Sequence, residues 1–207
     1  MRYYANPSTL MILDAIHAGD LGAIVTPKQG NIIPYDEVDW CADNGCFSDA
    51  WRESHWWAWL RNLPRSCRFA VAPDVFLPSA ESHAATLARW ADFGPAMRRH
   101  GFPVAFVAQV GCTADAIPAD ADALFIGGTT EWKLSHDAAA CVAEAKRRGM
   151  WVHMGRVNSE RRLRIAASWG VDSADGTYLT FGPDCNLPRL LGWLRRLEQG
   201  TQMSILQ

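Results

Sequence analysis

Gly170-Val171-Asp172-Ser173-Ala174-Asp175-Gly176-Thr177 is a short apolar run that ends in two carboxylates three residues apart, followed by a glycine. It reads as a strand that carries an acid to the rim of a sheet. Three other stretches repeat this arrangement. Ala42-Asp43-Asn44-Gly45-Cys46-Phe47-Ser48, Ala72-Pro73-Asp74 and Val107-Ala108-Gln109-Val110-Gly111 each set a polar side chain just past a hydrophobic run. Polar residues after many strand ends, rather than at one crevice, favour a barrel, whose active sites use the whole C-terminal rim.

Outward from these stretches, strand and helix alternate from about residue 21 to 197. Strands are expected at Leu21–Val25, Trp40–Ala42, Phe69–Ala72, Val104–Ala108, Ala123–Ile126, Trp151–Met154 and Val171–Ser173, with an eighth candidate at Arg2-Tyr3-Tyr4. The runs are short and apolar without strict alternation, as in a parallel sheet buried on both faces. Helices are expected after Asn6-Pro7-Ser8, from Asp49 to Leu63, from Ser79 to His100 with a break or kink at Gly94-Pro95, and briefly between Thr113 and Asp120. Further helices run from Ser135 or Asp137 to Arg148, from Ser159 to Trp169, and after Pro188, with a frayed polar tail from about Gln199. Residues 28–38 read as a polar loop. The expected fold is α/β: a compact (β/α)8 TIM-like barrel without a zinc subdomain, one domain over residues 1–207. A doubly wound open sheet is the second choice.

Composition narrows the function classes. Of 207 residues, 49% are hydrophobic and 20% charged, an ordinary globular balance. A net charge of -2 gives no global basic signature, so a nucleic-acid partner needs a local patch. The six cysteines form no CxxC pair, which argues against structural zinc, and no metal site is expected. Met1 to Pro7 lacks the apolar segment of a signal peptide, and no apolar run approaches the ~20 residues that span a bilayer. A cytoplasmic protein with reduced thiols and no membrane partner is expected. Trp51, Trp56, Trp57 and Trp59 crowd one helix; core is their default use, with a homodimer face or a partner site as the alternatives.

Each polar strand end has a plain structural use beside a chemical one. Asp43 before Asn-Gly is an Asx turn or cap, or a general acid/base. Asp74, stiffened by Pro73, is equally a cap or a pocket residue. Gln109 can donate and accept at once, which suits the edge of a purine-like base; otherwise it is a buried amide bonded to backbone. Gly127-Gly128 allows close backbone approach to a ligand, cradles a phosphate, or simply turns the chain. His153 is a weak candidate, since a lone histidine is more often structural. Opposite facing at positions i and i+3 of a strand lets only one of Asp172 and Asp175 enter the site. Asp175, beside Gly176, is the better placed, and a carboxylate there suits displacement at an anomeric carbon.

Taken in order, these motifs resemble the tRNA-guanine transglycosylase superfamily. They are most similar to its small, often phage-encoded branch that places 7-deazaguanines in DNA. Asp43-Asn44-Gly45-Cys46-Phe47-Ser48 stands where the family has Asp-Ser-Gly-Gly-Phe-Gln. Asp74 falls on the guanine-binding Asp, Gln109 on the Gln of Val-Gln-Gly, Gly127-Gly128 on the Gly-Gly loop, and Met154-Gly155 on a Met-Gly turn. Gly170 to Asp175 matches Gly-x-Asp-x-x-Asp, whose second Asp is the family's nucleophile. The match spans residues 40 to 177. It departs at Cys46, at Ser48, and in lacking the Cys/His zinc cluster near the C-terminus, a region the tRNA enzymes use; that shifts the expectation toward DNA.

The resemblance implies a pentosyltransferase that exchanges guanine in DNA for a preQ0-like 7-deazaguanine, with tRNA as the alternative substrate. Asp175 forms the covalent nucleotide intermediate and Asp43 moves protons. Asp74, Gln109, Gly127, Gly128, His153 and Met154 hold the base. Arg156, Arg161, Arg162 and Arg164 meet phosphates, with Lys133 opposite; an arginine-rich helix face is otherwise simply solvated. No cofactor is implied, and the setting is cytoplasmic, in a host cell if the chain is phage-encoded. Two other functions compete: a barrel lyase or isomerase that binds a phosphorylated small molecule at Gly127-Gly128, and a non-catalytic nucleic-acid- or partner-binding protein.

Overall fold

A computed structural model describes residues 1–28 and 33–205, the last five through their backbone alone. Eight parallel strands close into a barrel in chain order. They are β1 (Arg2–Ala5), β2 (Gly22–Val25), β3 (Trp40–Ala42), β4 (Ala70–Val71), β5 (Val104–Ala108), β6 (Ala123–Ile126), β7 (Trp151–Met154) and β8 (Ser173–Asp175). The ring shuts where β1 meets β8, with Tyr4 in register with Asp175. The TIM-like fold expected from the strand-end pattern is therefore present, and the candidate strand at Arg2-Tyr3-Tyr4 is its first member.

Strand alternation sorts side chains into two layers. Tyr4, Ile24, Cys41, Phe69, Val71, Ala105, Val107 and Ala123 fill the barrel interior, with Phe125 and Trp151 against them. Their neighbours in sequence, such as Tyr3, Trp40, Phe106, Leu124 and Val152, pack outward against the helices. Burying such a side chain stabilises the fold by roughly 1.5–3 kcal/mol. The pattern breaks at the end of the ring. There, β7 and β8 turn His153, Ser173 and Asp175 inward, on the face opposite Met154 and Ala174.

The helices are α1 (Leu10–His17), α2 (Glu53–Asn62), α3 (Glu81–Arg99), α4 (Thr130–Lys133), α5 (His136–Arg147), α6 (Glu160–Ser168) and α7 (Pro183–Ile205), with a 3-10 turn at Ala114–Ala116. Thr9, Ser135 and Ser159 cap α1, α5 and α6 by accepting from the N–H groups of Ile12, Ala138 and Arg162. No helix occurs among the described residues of the 26–39 connection. Residues 29–32 of the expected polar loop, Gly30 among them, lie outside the described part.

Several boundaries differ from those expected. The last strand begins at Ser173 rather than Val171. Val171 instead packs in the barrel–helix layer, and Asp172 sits at the bottom of the barrel, where its carboxylate accepts from the Val152 N–H and from Lys146 Nζ at 2.7 Å. α3 continues through Gly94-Pro95 without ending. α7 starts at Pro183 and extends to Ile205, past the expected fraying point. No helix among the described residues is long and apolar enough to cross a membrane.

Candidate active site

Two of the cavities at the C-terminal mouth of the barrel gather the residues singled out in the sequence, and they are built from different strands. One is lined from the ends of β8, β1, β2 and β3, and contains both Asp43 and Asp175 together with Ser8, Thr26 and Thr177. The other lies over β4 to β7. It is lined by Asp74, Gln109, Gly127-Gly128, Lys133 and Gly155, with Phe47, Phe76 and Arg156 at its rim. Its free volume is only about 40 Å³, well below that of a ligand pocket, so a base fits only if the Phe47–Phe76 rim moves aside.

Asp175 is the last residue of β8, and three groups fix it. His153 Nε2 lies 3.1 Å from its Oδ1, and the Arg156 backbone N–H donates to the same oxygen at 3.1 Å. The next N–H, of Val157, donates to the Asp175 carbonyl at 2.6 Å. Two consecutive amides of the β7–α6 loop thus converge on one aspartate. Arg156 manages this in a left-handed conformation, φ 59°, and is the one non-glycine residue with positive φ among those described. Such strain recurs at functional sites because the surroundings must enforce it. Close approach also explains Gly155: a Cβ there would come within 2.7 Å of the Phe125 ring and 3.3 Å of Asp175 Oδ1.

Asp43 follows β3 and reaches the same cavity. Burial pushes its carboxyl up to about 7, helped by the nearby charge of Asp175 and, less, of Asp74; a 3.3 Å hydrogen bond from Gly45 N–H pulls it partly back. Two acids facing one cavity whose lining holds no cation among the described residues leave one of them able to hold and release a proton near neutrality.

Asp74 anchors the second cavity and is almost fully buried. Its Oδ1 accepts from Asn44 Nδ2 at 2.9 Å and faces the Cys46 thiol at 3.3 Å, while its Oδ2 accepts from Gln109 Nε2. Burial raises its pKa against the pull of these donors. The other end of the same amide, Gln109 Oε1, is buried without a hydrogen-bond partner. Lys133 is also buried; its Nζ donates to the Gly155 carbonyl at 2.8 Å, and burial lowers its pKa to about 8 against the opposing charge of Asp175. A ligand that offers a donor to Gln109 and an acceptor to Lys133 matches what the chain leaves open. Phe47 and Phe76 meet edge to face at 6.0 Å over this pocket, with the Arg156 guanidinium 5.8 and 5.9 Å from their rings. A flat ligand suits such a rim.

The sequence-predicted residues divide as follows. Asp43 and Asp175 share a cavity; Asp74, Gln109, Gly127 and Gly128 share the other. His153 lies beneath Asp175 in the barrel interior, fully buried, and lines neither cavity. Met154 faces the opposite way, into the barrel–helix core, because it is the strand neighbour of an inward residue. Lys133 is a pocket residue rather than a surface contact, since the single turn of α4 folds it inward. Arg156 stands at the rim, Arg161 is exposed on α6, and the half-buried Arg162 reaches back to the Arg156 carbonyl at 3.5 Å. Phe76 carries no signal in the sequence. Asn44, Phe47 and Ser173 lie inside the stretches quoted above and Arg156 among the phosphate candidates, but the sequence assigns no site role to those three side chains or to the Arg156 amide.

All six cysteines are free thiols. Among the described residues, no cluster of three or more His, Cys, Asp or Glu is arranged to hold a metal ion. No protein-family model matches the chain, and no curated protein sequence matches it.

Proposed function

We propose that the protein is a base-exchange transglycosylase that replaces guanine in DNA with a 7-deazaguanine base through a covalent Asp175–nucleotide intermediate. The observation that carries this reading is the pairing at one mouth: two acids facing a common cavity, beside a pocket with purine-type donors, acceptors and aromatic walls. The resemblance of the motif order to the guanine transglycosylase superfamily supports it further, and its likeness to the small branch favours DNA over tRNA.

The nucleotide is turned out of the stack into the mouth. An Asp175 oxygen attacks C1′; the C1′–N9 bond breaks, and guanine leaves as N9 takes the proton from the Asp43 carboxylic acid. A 7-deazaguanine then enters the Asp74–Gln109–Lys133 pocket and gives its N9 proton to the Asp43 carboxylate. Its N9 attacks C1′, and the C1′–oxygen bond breaks to release Asp175 as carboxylate. An acid titrating at about 7 is populated in both the forms that these steps require. Arg156, Arg161 and Arg162 lie on the loop and helix that follow β7, placed to meet phosphates beside the flipped nucleotide.

Mass spectrometry of nucleosides tests the reading. The protein is incubated with preQ0 and a DNA duplex, with tRNA in parallel. DNA that gains the deazaguanine supports the proposal, tRNA labelling alone moves it to the alternative substrate, and labelling of neither removes it.

A further inference from the structure

We infer that His153 is the positioning residue of Asp175: a neutral imidazole, protonated on Nε2, that ties down Oδ1 and leaves Oδ2 as the oxygen free to react. The consequence for reactivity rests on the base-exchange reading; the protonation pattern stands on geometry alone.

The pattern follows from counting donors along a chain through the barrel interior. Trp151 Nε1 lies 2.8 Å from Ser173 Oγ, and an indole N–H only donates, so Ser173 accepts there. Ser173 is fully buried, and its own proton has one acceptor within reach among the described residues, His153 Nδ1 at 2.9 Å. Nδ1 therefore accepts. The ring proton is on Nε2, which faces the carboxylate of Asp175 at 3.1 Å, a group that can only accept when ionised. A proton on Nδ1, in the other tautomer or in an imidazolium, would set two donors against Ser173 Oγ and strand the hydroxyl proton in a buried site. The other tautomer would also face a bare ring nitrogen with the carboxylate. Each donor has one acceptor only when the ring is neutral and protonated on Nε2.

The consequence falls on Asp175. Oδ1 carries two hydrogen bonds, from His153 and from the Arg156 amide, whereas Oδ2 carries none among the described residues. The imidazole itself is clamped by Phe125 at 4.7 Å, Phe69 at 5.3 Å and Tyr4 at 5.9 Å between ring centroids. His153 lines neither cavity, so it acts through Asp175 rather than on a substrate. It fixes the carboxylate plane and assigns the roles of the two oxygens.

The experiment has two parts, both on the full chain. Selective 15N-histidine labelling with a long-range 1H–15N spectrum at pH 7, assigned with His153→Gln, reads the tautomer. The expected result is a pyrrole-type Nε2 and a pyridine-type Nδ1; a protonated Nδ1 overturns the inference. Exchange kinetics then compare His153→Phe, which keeps the aromatic packing, with His153→Gln, whose amide N–H can still reach Oδ1. A drop of ~100-fold in kcat with KM within ~3-fold is expected for His153→Phe, with recovery to within ~10-fold of wild type for His153→Gln. A folded His153→Phe protein with wild-type kcat, or a folded His153→Gln protein no better than it, overturns the positioning role. If His153→Phe fails to fold, the wild-type tautomer and the kcat of His153→Gln decide. If the wild type exchanges no base, the base-exchange reading fails while the tautomer still decides the hydrogen-bond pattern.

Discussion

The two halves of the barrel mouth are built on the same scaffold but filled differently. The half over β8, β1, β2 and β3 holds two acids and several hydroxyls, with no cation in its lining among the described residues. The half over β4 to β7 holds an ammonium, a guanidinium, an amide and two phenyl rings around one buried acid. In the first half, the charge of Asp175 and, less, of Asp74 adds to burial in lifting Asp43 to about 7. In the second, three donors partly hold down Asp74 while burial lowers Lys133. The difference suggests a division of labour on the proposed reading: the acidic half makes and breaks bonds, and the mixed half selects the base. Kinetics can separate the two, because losses in transition-state interactions fall on kcat and losses in uniform binding fall on KM.

The largest effect is expected from Asp175→Ala. Exchange should fall by ~10⁴-fold or more, as for loss of a covalent nucleophile, in a protein that still folds but melts somewhat lower because His153 and the Arg156 N–H lose their acceptor. Single-turnover assays and a thermal melt read both; a folded Asp175→Ala protein with normal exchange ends the assignment.

Asp43→Asn comes next, with a loss of ~10²- to 10³-fold in kcat and little change in KM. It also has a thermodynamic signature. Folded Asp43 keeps its proton up to about pH 7, while the unfolded residue releases it near 3.8. Its contribution to stability is therefore fullest below that lower value and is lost as pH rises through about 7. Asp43→Asn should lessen the drop in melting temperature between pH 5 and pH 8, measured by calorimetry. An unchanged drop would mean that Asp43 titrates as an ordinary carboxylate.

In the other half, Lys133→Met should raise KM for the incoming base by ~10-fold while kcat holds, because one charge-assisted hydrogen bond is lost. The sign of its pH effect is opposite. Unfolded lysine keeps its proton to about 10.5 and folded Lys133 only to about 8, so this group adds stability as pH rises between those values. Lys133→Met should remove that rise. A kcat loss instead would erase the proposed division between the halves.

The smallest effect on catalysis is expected at the opposite end of the barrel. Asp172→Ala breaks the contacts with Lys146 and the Val152 N–H and should cost about 1–3 kcal/mol of stability, measured by urea unfolding, with kcat and KM unchanged.

Much of the architecture was legible because a parallel barrel repeats one local rule: an apolar run, then a polar residue at the rim. Asp43, Asp74, Gln109 and Asp175 each follow it. The rule failed where the interior is itself polar. Ser173 and Asp175 share the inward face of β8, so the apolar Val171 drew the expected strand two residues too early. That shift misread Asp172 as a strand residue, although Asp175 was rightly separated from it as the one of the pair that enters the mouth. His153 looked marginal because a sequence shows neither its Ser173 and Asp175 partners nor the direction of its ring. Lys133 was hidden by the brevity of α4, whose four residues carry no periodicity, and by the ordinary habit of lysine to face solvent.

The barrel closes where Arg2–Ala5 lies against Ser173–Asp175. Every other pair of adjacent strands is joined by a local connection, whereas this seam unites segments about 170 residues apart, the costliest loop in the chain to draw shut. Asp175 stands on that seam, in register with Tyr4. The aspartate therefore has two separate supports: β7 and the loop after it hold its carboxylate and carbonyl, and the first strand lies against its backbone. Removing Arg2–Ala5 would open the ring beside Asp175 while leaving its side-chain partners in place.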